Sequence, residues 1–274
     1  SVVSDAKVGL QDLSEAVGNL SCSPSCLETA RNLYSEWNET VYKHSGPTNE
    51  IPPSYAQVVG AINRICDSTD LALTAAGGLP GELCKNWKTR SIGTFDCEFG
   101  FSCMGYEIAG GWGAKMANPS REVIVFVGDG SYLMLNSDIY STVLTGHKMI
   151  VIVCDNGGFS VINRLQNFKG SASFNNLLQD CKIENLQGVD FVQHATSMGA
   201  LGEHVESTAE LEAAFKRAKA ADRTYVICIK TKPSQWTPGD AWWDVGVPEV
   251  SDREEVRQAR ACLLYTSPSP RDPL

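Results

Sequence analysis

Four short stretches of the chain are almost continuously apolar. They span residues 71–75, 122–127, 148–154 and 224–229. Runs of this length without alternation are typical of strands in a parallel sheet that helices cover on both faces. We therefore predict four strands of one parallel sheet.

The segments between these strands have the character of helices, since apolar residues recur at three- and four-residue steps or small residues dominate. The predicted helices span residues 55–67, 104–117, 132–146 and 208–221. The regular alternation predicts an α/β fold with a doubly wound parallel sheet over residues 55–260. Such a domain binds ligands at the carboxyl ends of its strands.

Residues 1–45 have no strand pattern and are predicted to be helical. One apolar stripe at helical spacing consists of Leu27, Ala30, Leu33, Trp37 and Val41. The segment 46–54 is rich in proline and begins with glycine, which breaks the helical pattern. We predict that this segment is a linker between two domains.

The composition excludes several classes of protein. The formal net charge is −9 and the 4 histidines are scattered, which argues against a surface that binds nucleic acid. No apolar run approaches the length of a membrane span, so no membrane partner is predicted. The 10 cysteines include no CxxC pair, and we interpret them as reduced thiols of a cytoplasmic protein.

Two of the predicted strands end in polar turns that contain glycine. The first turn carries Asp129 between two glycines, and the second carries Asn156 before two glycines. One right-handed crossover separates the turns, so both should reach the same edge of the sheet. A carboxylate, an amide oxygen and free glycine N–H groups suit a Mg²⁺ ion that holds a diphosphate.

A dinucleotide-binding fingerprint is one alternative for the first turn. The pair Gly128–Gly130 follows a strand, but Leu133 stands where the third glycine belongs. In a dinucleotide site the negative charge of Asp129 would also point toward the pyrophosphate with no metal between them, which is unfavourable. A second alternative is an ordinary turn in which Asp129 caps the next helix. Asn156, one crossover away, favours the metal–diphosphate site over both.

The two turns resemble the diphosphate-binding motif of the thiamine diphosphate enzymes. In that family the Asp and Asn side chains bind Mg²⁺ together with the backbone carbonyl two residues after the Asn. The resemblance therefore implies that Asp129, Asn156 and Gly158 are the metal ligands. The motif often reads Asn-Asn, whereas this chain has Asp155 in the first position, a departure that leaves the metal ligand itself intact.

The same resemblance implies the rest of a site for thiamine diphosphate. A bulky apolar residue bends the cofactor in the family, and Met104 fits that position, with ordinary core packing as the alternative. The backbone carbonyl of Ser102 would accept a hydrogen bond from the pyrimidine amino group. The cofactor-binding residues implied are Gly77, Gly78, Ser102, Met104, Gly128, Asp129, Gly130, Ser131, Asn156 and Gly158.

Glu98 is the candidate catalytic residue. It precedes Met104 in the chain, and we expect it to face the substrate as a proton donor or acceptor. A solvated surface glutamate is the alternative, with equal weight. For Gly77 and Gly78 the alternative is an ordinary turn at the end of a strand.

Long segments are similar to one subgroup of the family, which hydrolyses a C–C bond of a cyclic 1,2-dione in inositol catabolism. These segments are residues 55–63, 74–83, 99–116, 128–134 and 241–250. The resemblance implies a Mg²⁺-dependent hydrolase that converts trihydroxycyclohexane-1,2-dione, a small cyclic polyol dione, to 5-deoxyglucuronate, as a homodimer or homotetramer. An acetolactate synthase-like enzyme, a 2-oxo acid decarboxylase and a non-catalytic cofactor-binding remnant are the open alternatives.

The resemblance also predicts that the chain is the C-terminal part of a longer enzyme. Residues 1–45 would be the end of a middle domain. In the family, the glutamate that activates the cofactor belongs to an N-terminal domain of a neighbouring subunit, so this chain alone is expected to be inactive. Residues 261–274 resemble translated adaptor or read-through sequence, and their prolines predict a non-native or disordered tail.

Overall fold

The chain divides into two units, residues 1–42 and residues 43–274. The computed structural model describes residues 3–21, 23–182, 188–239 and 246–266. Within these ranges, no helix is both long and apolar enough to cross a membrane.

The first unit contains helix α1 and most of helix α2. α1 spans Ala6–Val17 and α2 spans Pro24–Ser45. The carboxylate of Asp5 accepts two backbone N–H groups of the first turn of α1 and so caps that helix. Gly18, with φ of +54°, ends α1. The helical prediction for residues 1–45 is confirmed over α1 and α2, whereas residues 3–5, 18–21 and 23 are not helical.

The second unit is built on one six-stranded sheet in which all paired strands are parallel. The strand order is β2-β1-β3-β4-β6-β5. This arrangement confirms the prediction of a doubly wound α/β fold. The strands are β1 (Leu71–Thr74), β2 (Phe95–Cys97), β3 (Val123–Gly128), β4 (Ile150–Asp155), β5 (Leu201–Val205) and β6 (Tyr225–Lys230).

Nine helices of the described residues accompany this sheet, and a short 3₁₀ helix spans Leu178–Asp180. The helices are α3 (Tyr55–Ile65), α4 (Gly78–Asn86), α5 (Tyr106–Ala117), α6 (Asp129–Met134), α7 (Asp138–Thr145), α8 (Ser160–Phe168), α9 (Phe191–Ser197), α10 (Thr208–Ala220) and α11 (Glu254–Thr266).

Helices cover both faces of the sheet, which explains why its central strands are apolar throughout. Ile124 and Phe126 of β3 enter a buried cluster with α3, α4 and α10. Val125 and Val127 of the same strand enter a second cluster with α5, α6, α7 and α9. Because successive residues of a strand point to opposite faces, each side of β3 has its own core to fill.

The prediction of one helix over residues 132–146 is wrong, because the segment forms α6 and α7 with a break between them. The chain leaves the helical conformation at Leu135, which has φ of −153° and ψ of 97°. Asn136 donates its amide N–H to the Tyr132 carbonyl at 3.1 Å, which satisfies a carbonyl at the end of α6. Leu135 also lies against Gly105, where a Cβ atom would be 2.5 Å from the Leu135 Cβ.

Residues 46–54 contain no helix or strand. α11 continues to Thr266, so the tail predicted from residue 261 begins inside a helix. Residues 267–274 lie outside the described residues, as do residues 240–245, of which 241–245 belong to one of the segments that carry the family resemblance.

Gly111 sets the distance between α5 and the sheet. A Cβ atom at this position would be 2.4 Å from Val125 Cγ2 and 3.0 Å from Met149 Sδ. Gly113 lies on the same helix, but a Cβ atom there would have no neighbour within 4 Å in the described parts of the chain. The two glycines are therefore a matched pair, one in a close contact and one facing open space.

We predict that Gly111→Ala lowers the free energy of unfolding by about 1–3 kcal/mol, because the added methyl group forces α5 away from β3. Gly113→Ala should raise it by up to about 1 kcal/mol through better helix propensity. Denaturant unfolding measures both changes. Similar effects of the two substitutions would contradict the packing account.

Candidate active site

One cavity of about 260 Å³ lies at the carboxyl ends of β1, β3 and β4. All ten residues predicted to bind the cofactor line it, although they come from four separate parts of the chain. These residues are Gly77, Gly78, Ser102, Met104, Gly128, Asp129, Gly130, Ser131, Asn156 and Gly158. The structure therefore brings the predicted binding residues together.

Asp129 lies at the first position of α6, directly after β3, and is only 6% exposed. Its Oδ2 atom accepts a hydrogen bond from the Gly158 N–H at 2.7 Å. Its Oδ1 atom is buried and has no hydrogen-bond partner among the described residues. A buried carboxylate oxygen that lacks a donor is costly, and a bound cation would satisfy it.

Asn156 presents a second oxygen of the same kind. Its amide nitrogen donates to Ser160 Oγ at 2.6 Å and to the Tyr55 hydroxyl. Because the nitrogen is held by two hydroxyl groups, the orientation of the amide is fixed. Its Oδ1 atom is buried and unpartnered within the part of the chain that the structure describes. Carboxylate and amide oxygens are ligands that Mg²⁺ accepts, so the pair fits the predicted metal.

The Gly157–Gly158 turn depends on the absence of side chains. Gly158 has φ of +139°, and a Cβ atom there would be 2.4 Å from the Asn176 carbonyl oxygen. The Leu178 N–H donates to the Gly157 carbonyl at 2.8 Å, and the Phe159 N–H donates to the Asn176 carbonyl at 2.7 Å. These two bonds do not use the carbonyl of Gly158, the third predicted metal ligand.

The charge of Asp129 is strongly affected by its surroundings. Burial, followed by the nearby charge of Asp155, raises the pKa of the Asp129 carboxyl to about 6, and the hydrogen bond from Gly158 opposes the rise. Asp155 is itself 5% exposed. It accepts the Gly157 N–H at 3.0 Å and forms an ion pair with Lys230. The residue that departs from the family motif therefore holds the turn in place.

Trp236 supports the cavity from the side of α4, and sequence reasoning missed it. A Cβ atom at Gly78 would be 2.4 Å from the Trp236 ring, so any larger residue there would displace the indole. The ring meets Tyr55 edge-on, with centroids 6.0 Å apart. Tyr55 in turn holds Asn156. Tyr55 lies in a segment that carries the family resemblance, but no local signal identifies Trp236.

Glu98 does not line the cavity. Its carboxylate accepts hydrogen bonds from the Phe101 and Cys103 N–H groups at 2.9 and 2.7 Å. These bonds lower the pKa of the Glu98 carboxyl, whereas a proton donor at neutral pH needs a raised one. Glu98 shapes the loop that carries Ser102, with φ of +54°, and its catalytic role stays a prediction.

We predict that Asp129→Asn raises the free energy of unfolding by about 1–3 kcal/mol above pH 6 when divalent cations are absent. The carboxyl has a pKa of about 6 in the fold against 3.8 ordinarily. In the folded state the Asp129 carboxyl therefore stays protonated to a higher pH than in the unfolded chain. As a result, the free energy of unfolding of the wild type falls as pH rises from about 4 to 6. The advantage of the variant should vanish near pH 4.

Denaturant unfolding between pH 4 and pH 8 measures this difference. Asp222→Asn is the matched control, because Asp222 is exposed and pairs only with its neighbour Arg223 in the described contacts. A gain for Asp129→Asn that does not change with pH would contradict the burial of the charge.

Sequence comparisons identify related proteins. A family model described as "Thiamine pyrophosphate enzyme, C-terminal TPP binding domain" matches residues 75–229. A protein of Geobacillus thermodenitrificans (strain NG80-2), named 3D-(3,5/4)-trihydroxycyclohexane-1,2-dione hydrolase, is 34% identical over 94% of this chain and 45% of its own length. A protein of the same name from Bacillus cereus (strain AH820) is 40% identical over 74% of this chain and 32% of its own length. The chain thus spans less than half of these relatives.

A comparison of structures identifies the same fold in a more distant protein. This protein is the Rhodococcus jostii RHA1 thiamine diphosphate-dependent 4-hydroxybenzoylformate decarboxylase. The TM-score is 0.60 at 20% sequence identity, and the match covers 68% of this chain and 34% of that chain. At this level of identity the likeness supports the fold alone.

Proposed function

The chain belongs to the thiamine pyrophosphate enzymes, and we propose that its cavity binds thiamine diphosphate through Mg²⁺. The observation that carries this proposal is a pair of buried oxygens on one cavity, Asp129 Oδ1 and Asn156 Oδ1, for which the described part of the chain offers no hydrogen-bond partner. Together with the carbonyl of Gly158 they offer three hard oxygen ligands. Mg²⁺ commonly takes a few such protein ligands and completes its coordination with phosphate oxygens and water.

The glycines of the cavity wall suit the diphosphate itself. Gly77 has φ of +100°, and a Cβ atom there would meet no described residue within 4 Å, so its backbone is open toward the cavity. Gly130 approaches the Phe159 ring so closely that a Cβ atom would be 2.5 Å from it. Glycine N–H groups at the start of a helix can bind phosphate oxygens without a side chain in between.

Ser102 and Met104 would hold the ring end of the cofactor. Both line the cavity, on a loop that Glu98 fixes by two hydrogen bonds. Thiamine diphosphate, when bound, supplies the carbon nucleophile and the electron sink for C–C cleavage. The role of Met104 is to keep the cofactor bent, and that of Ser102 is to accept a hydrogen bond at its backbone carbonyl.

We further propose that the whole enzyme hydrolyses trihydroxycyclohexane-1,2-dione to 5-deoxyglucuronate, a step of inositol catabolism in the cytoplasm. The support is the name shared by relatives that are 34% and 40% identical to this chain. Addition of water across the bond between the two carbonyls gives one carboxylic acid and one aldehyde end, and releases no carbon dioxide. A homodimer or homotetramer, with the activating glutamate on a neighbouring subunit, belongs to the same proposal.

We predict that the complete protein, given the cyclic dione, thiamine diphosphate and Mg²⁺, releases acid without carbon dioxide. Asp129→Ala should lower this activity at least about 100-fold, because it removes one of the proposed metal ligands. The other buried ligand oxygen, Asn156 Oδ1, would then be left without its cation. Asp222→Ala is the exposed control. Acid release is followed with a pH indicator and carbon dioxide with a coupled assay.

Other results would change the proposal in defined ways. Carbon dioxide from a 2-oxo acid and no acid from the dione would keep the cofactor and overturn the substrate. Failure to bind thiamine diphosphate in the presence of Mg²⁺ would overturn the cofactor site. Turnover of the dione by this chain alone would contradict the requirement for a second subunit's glutamate.

A further inference from the structure

Glu107 is a fully buried carboxylate in the first turn of α5. Among the described residues no lysine, arginine or histidine forms an ion pair with it. Burial of a carboxylate without a cation is unfavourable unless hydrogen bonds satisfy its oxygens. The burial of Glu107 therefore depends on the hydrogen bonds that its two oxygens accept.

The Glu107 carboxylate accepts hydrogen bonds from three separate parts of the chain. The Ser131 hydroxyl lies 2.8 Å from both of its oxygens. The Gly105 N–H donates at 2.9 Å and the Ala76 N–H at 3.4 Å. Ser131 Oγ also accepts a second bond from the Gly105 N–H at 2.8 Å. Glu107, Ser131 and Gly105 thus form a closed triangle of hydrogen bonds.

Each of these partners belongs to a different wall of the cavity. Ala76 and Ser131 line the cavity themselves, and Gly105 directly follows Met104, which also lines it. Ala76 comes from the turn after β1, Gly105 from the loop before α5, and Ser131 from α6. Glu107 is not among the lining residues, so it contacts all three walls on the side that faces away from the cavity.

We propose that Glu107 is a positioning residue that fixes the diphosphate-binding walls relative to the wall that carries Met104. This inference rests on the proposed function, since it assigns the purpose of Glu107 to the binding of thiamine diphosphate. Glu107 acts through Ser131 and Gly105 and does not touch the cofactor. Without this carboxylate the Ser131 hydroxyl and the Ala76 N–H would lose the acceptor that joins them.

The chain offers a control at Glu82, which is 1% exposed and differs from Glu107 in that Lys85 Nζ lies 3.6 Å from its Oε1 atom. Its carboxylate also accepts several hydrogen bonds, from the Thr237 N–H and hydroxyl and from the Asn86 amide. Glu82 does not line the cavity. Substitution of Glu82 therefore tests the loss of a buried, hydrogen-bonded carboxylate in the same domain.

The test compares Glu107→Gln, Glu107→Leu and Glu82→Gln in the complete protein. The dissociation constant for thiamine diphosphate is measured at fixed Mg²⁺ by calorimetry, and the melting temperature is measured without cofactor. We expect both Glu107 variants to weaken binding about tenfold or more. Glu107→Leu and Glu82→Gln should both lower the melting temperature, because each removes the acceptor of buried donors, but only the Glu107 variants should change the dissociation constant.

A double-mutant cycle tests the route through Ser131. If Glu107 acts through this hydroxyl, Ser131→Ala and Glu107→Leu together should weaken binding by less than the product of their separate effects. Ser131→Ala with Glu82→Gln should be additive. Additive effects in both cycles would overturn the role of Ser131 as the intermediary.

The remaining outcomes separate this inference from the proposed function. Thiamine diphosphate binding that is equal in wild type and in the Glu107 variants would overturn the positioning role and leave the cofactor site standing. Absence of binding by the wild type would overturn the cofactor site and, with it, this inference. If Glu107→Leu does not fold, Glu107→Gln replaces it in the binding comparison and in the Ser131 cycle.

Discussion

The register between β3 and β4 is the constraint on which the candidate site depends. Gly128 is paired with Cys154, so Asp129 and Asn156 both emerge at the same edge of the sheet shortly after this pair. A shift of one residue would turn every side chain of a strand to the opposite face and exchange its two cores. The apolar residues that fill both cores therefore also hold the carboxylate and the amide side by side.

The site concentrates negative charge in a buried place. Asp129, Asp155 and Glu107 are each at most 6% exposed, and Lys230 forms an ion pair with Asp155. Backbone N–H groups and hydroxyls satisfy most of the oxygens, but Asp129 Oδ1 is left without a donor among the described residues. This incomplete satisfaction lowers the stability of the free protein, and it is the property that a site for a divalent cation requires.

The sequence predicts those parts of this structure that local physics decides. Uninterrupted apolar runs identify the central strands, because each of them fills a core on both faces. The polar turns at Asp129 and Asn156 can also be predicted from local sequence. In each of them an apolar strand is followed directly by glycine and a side chain that can bind a metal. The edge strand β5 is not predicted from the sequence. Among its residues only Val205 is buried, so the strand does not fill a core on both faces.

Other features depend on partners that are distant in the chain. The break between α6 and α7 needs the close approach of Leu135 to Gly105. No pattern in the local sequence predicts this break. Trp236 reaches Gly78 from the far end of the domain, and Glu107 meets Ser131 only when β1, α5 and α6 have assembled. Such contacts are products of the tertiary fold, so a reading of local patterns could not find them.

The most direct test of the metal–diphosphate site is a crystal structure of the complete protein with thiamine diphosphate and Mn²⁺, which prefers the same oxygen ligands as Mg²⁺ and has a measurable anomalous signal. The account predicts one anomalous peak that lies about 2.1 Å from Asp129 Oδ1 and from Asn156 Oδ1, with the diphosphate beside it. A metal peak away from these two oxygens, or a diphosphate bound outside the cavity, would contradict it.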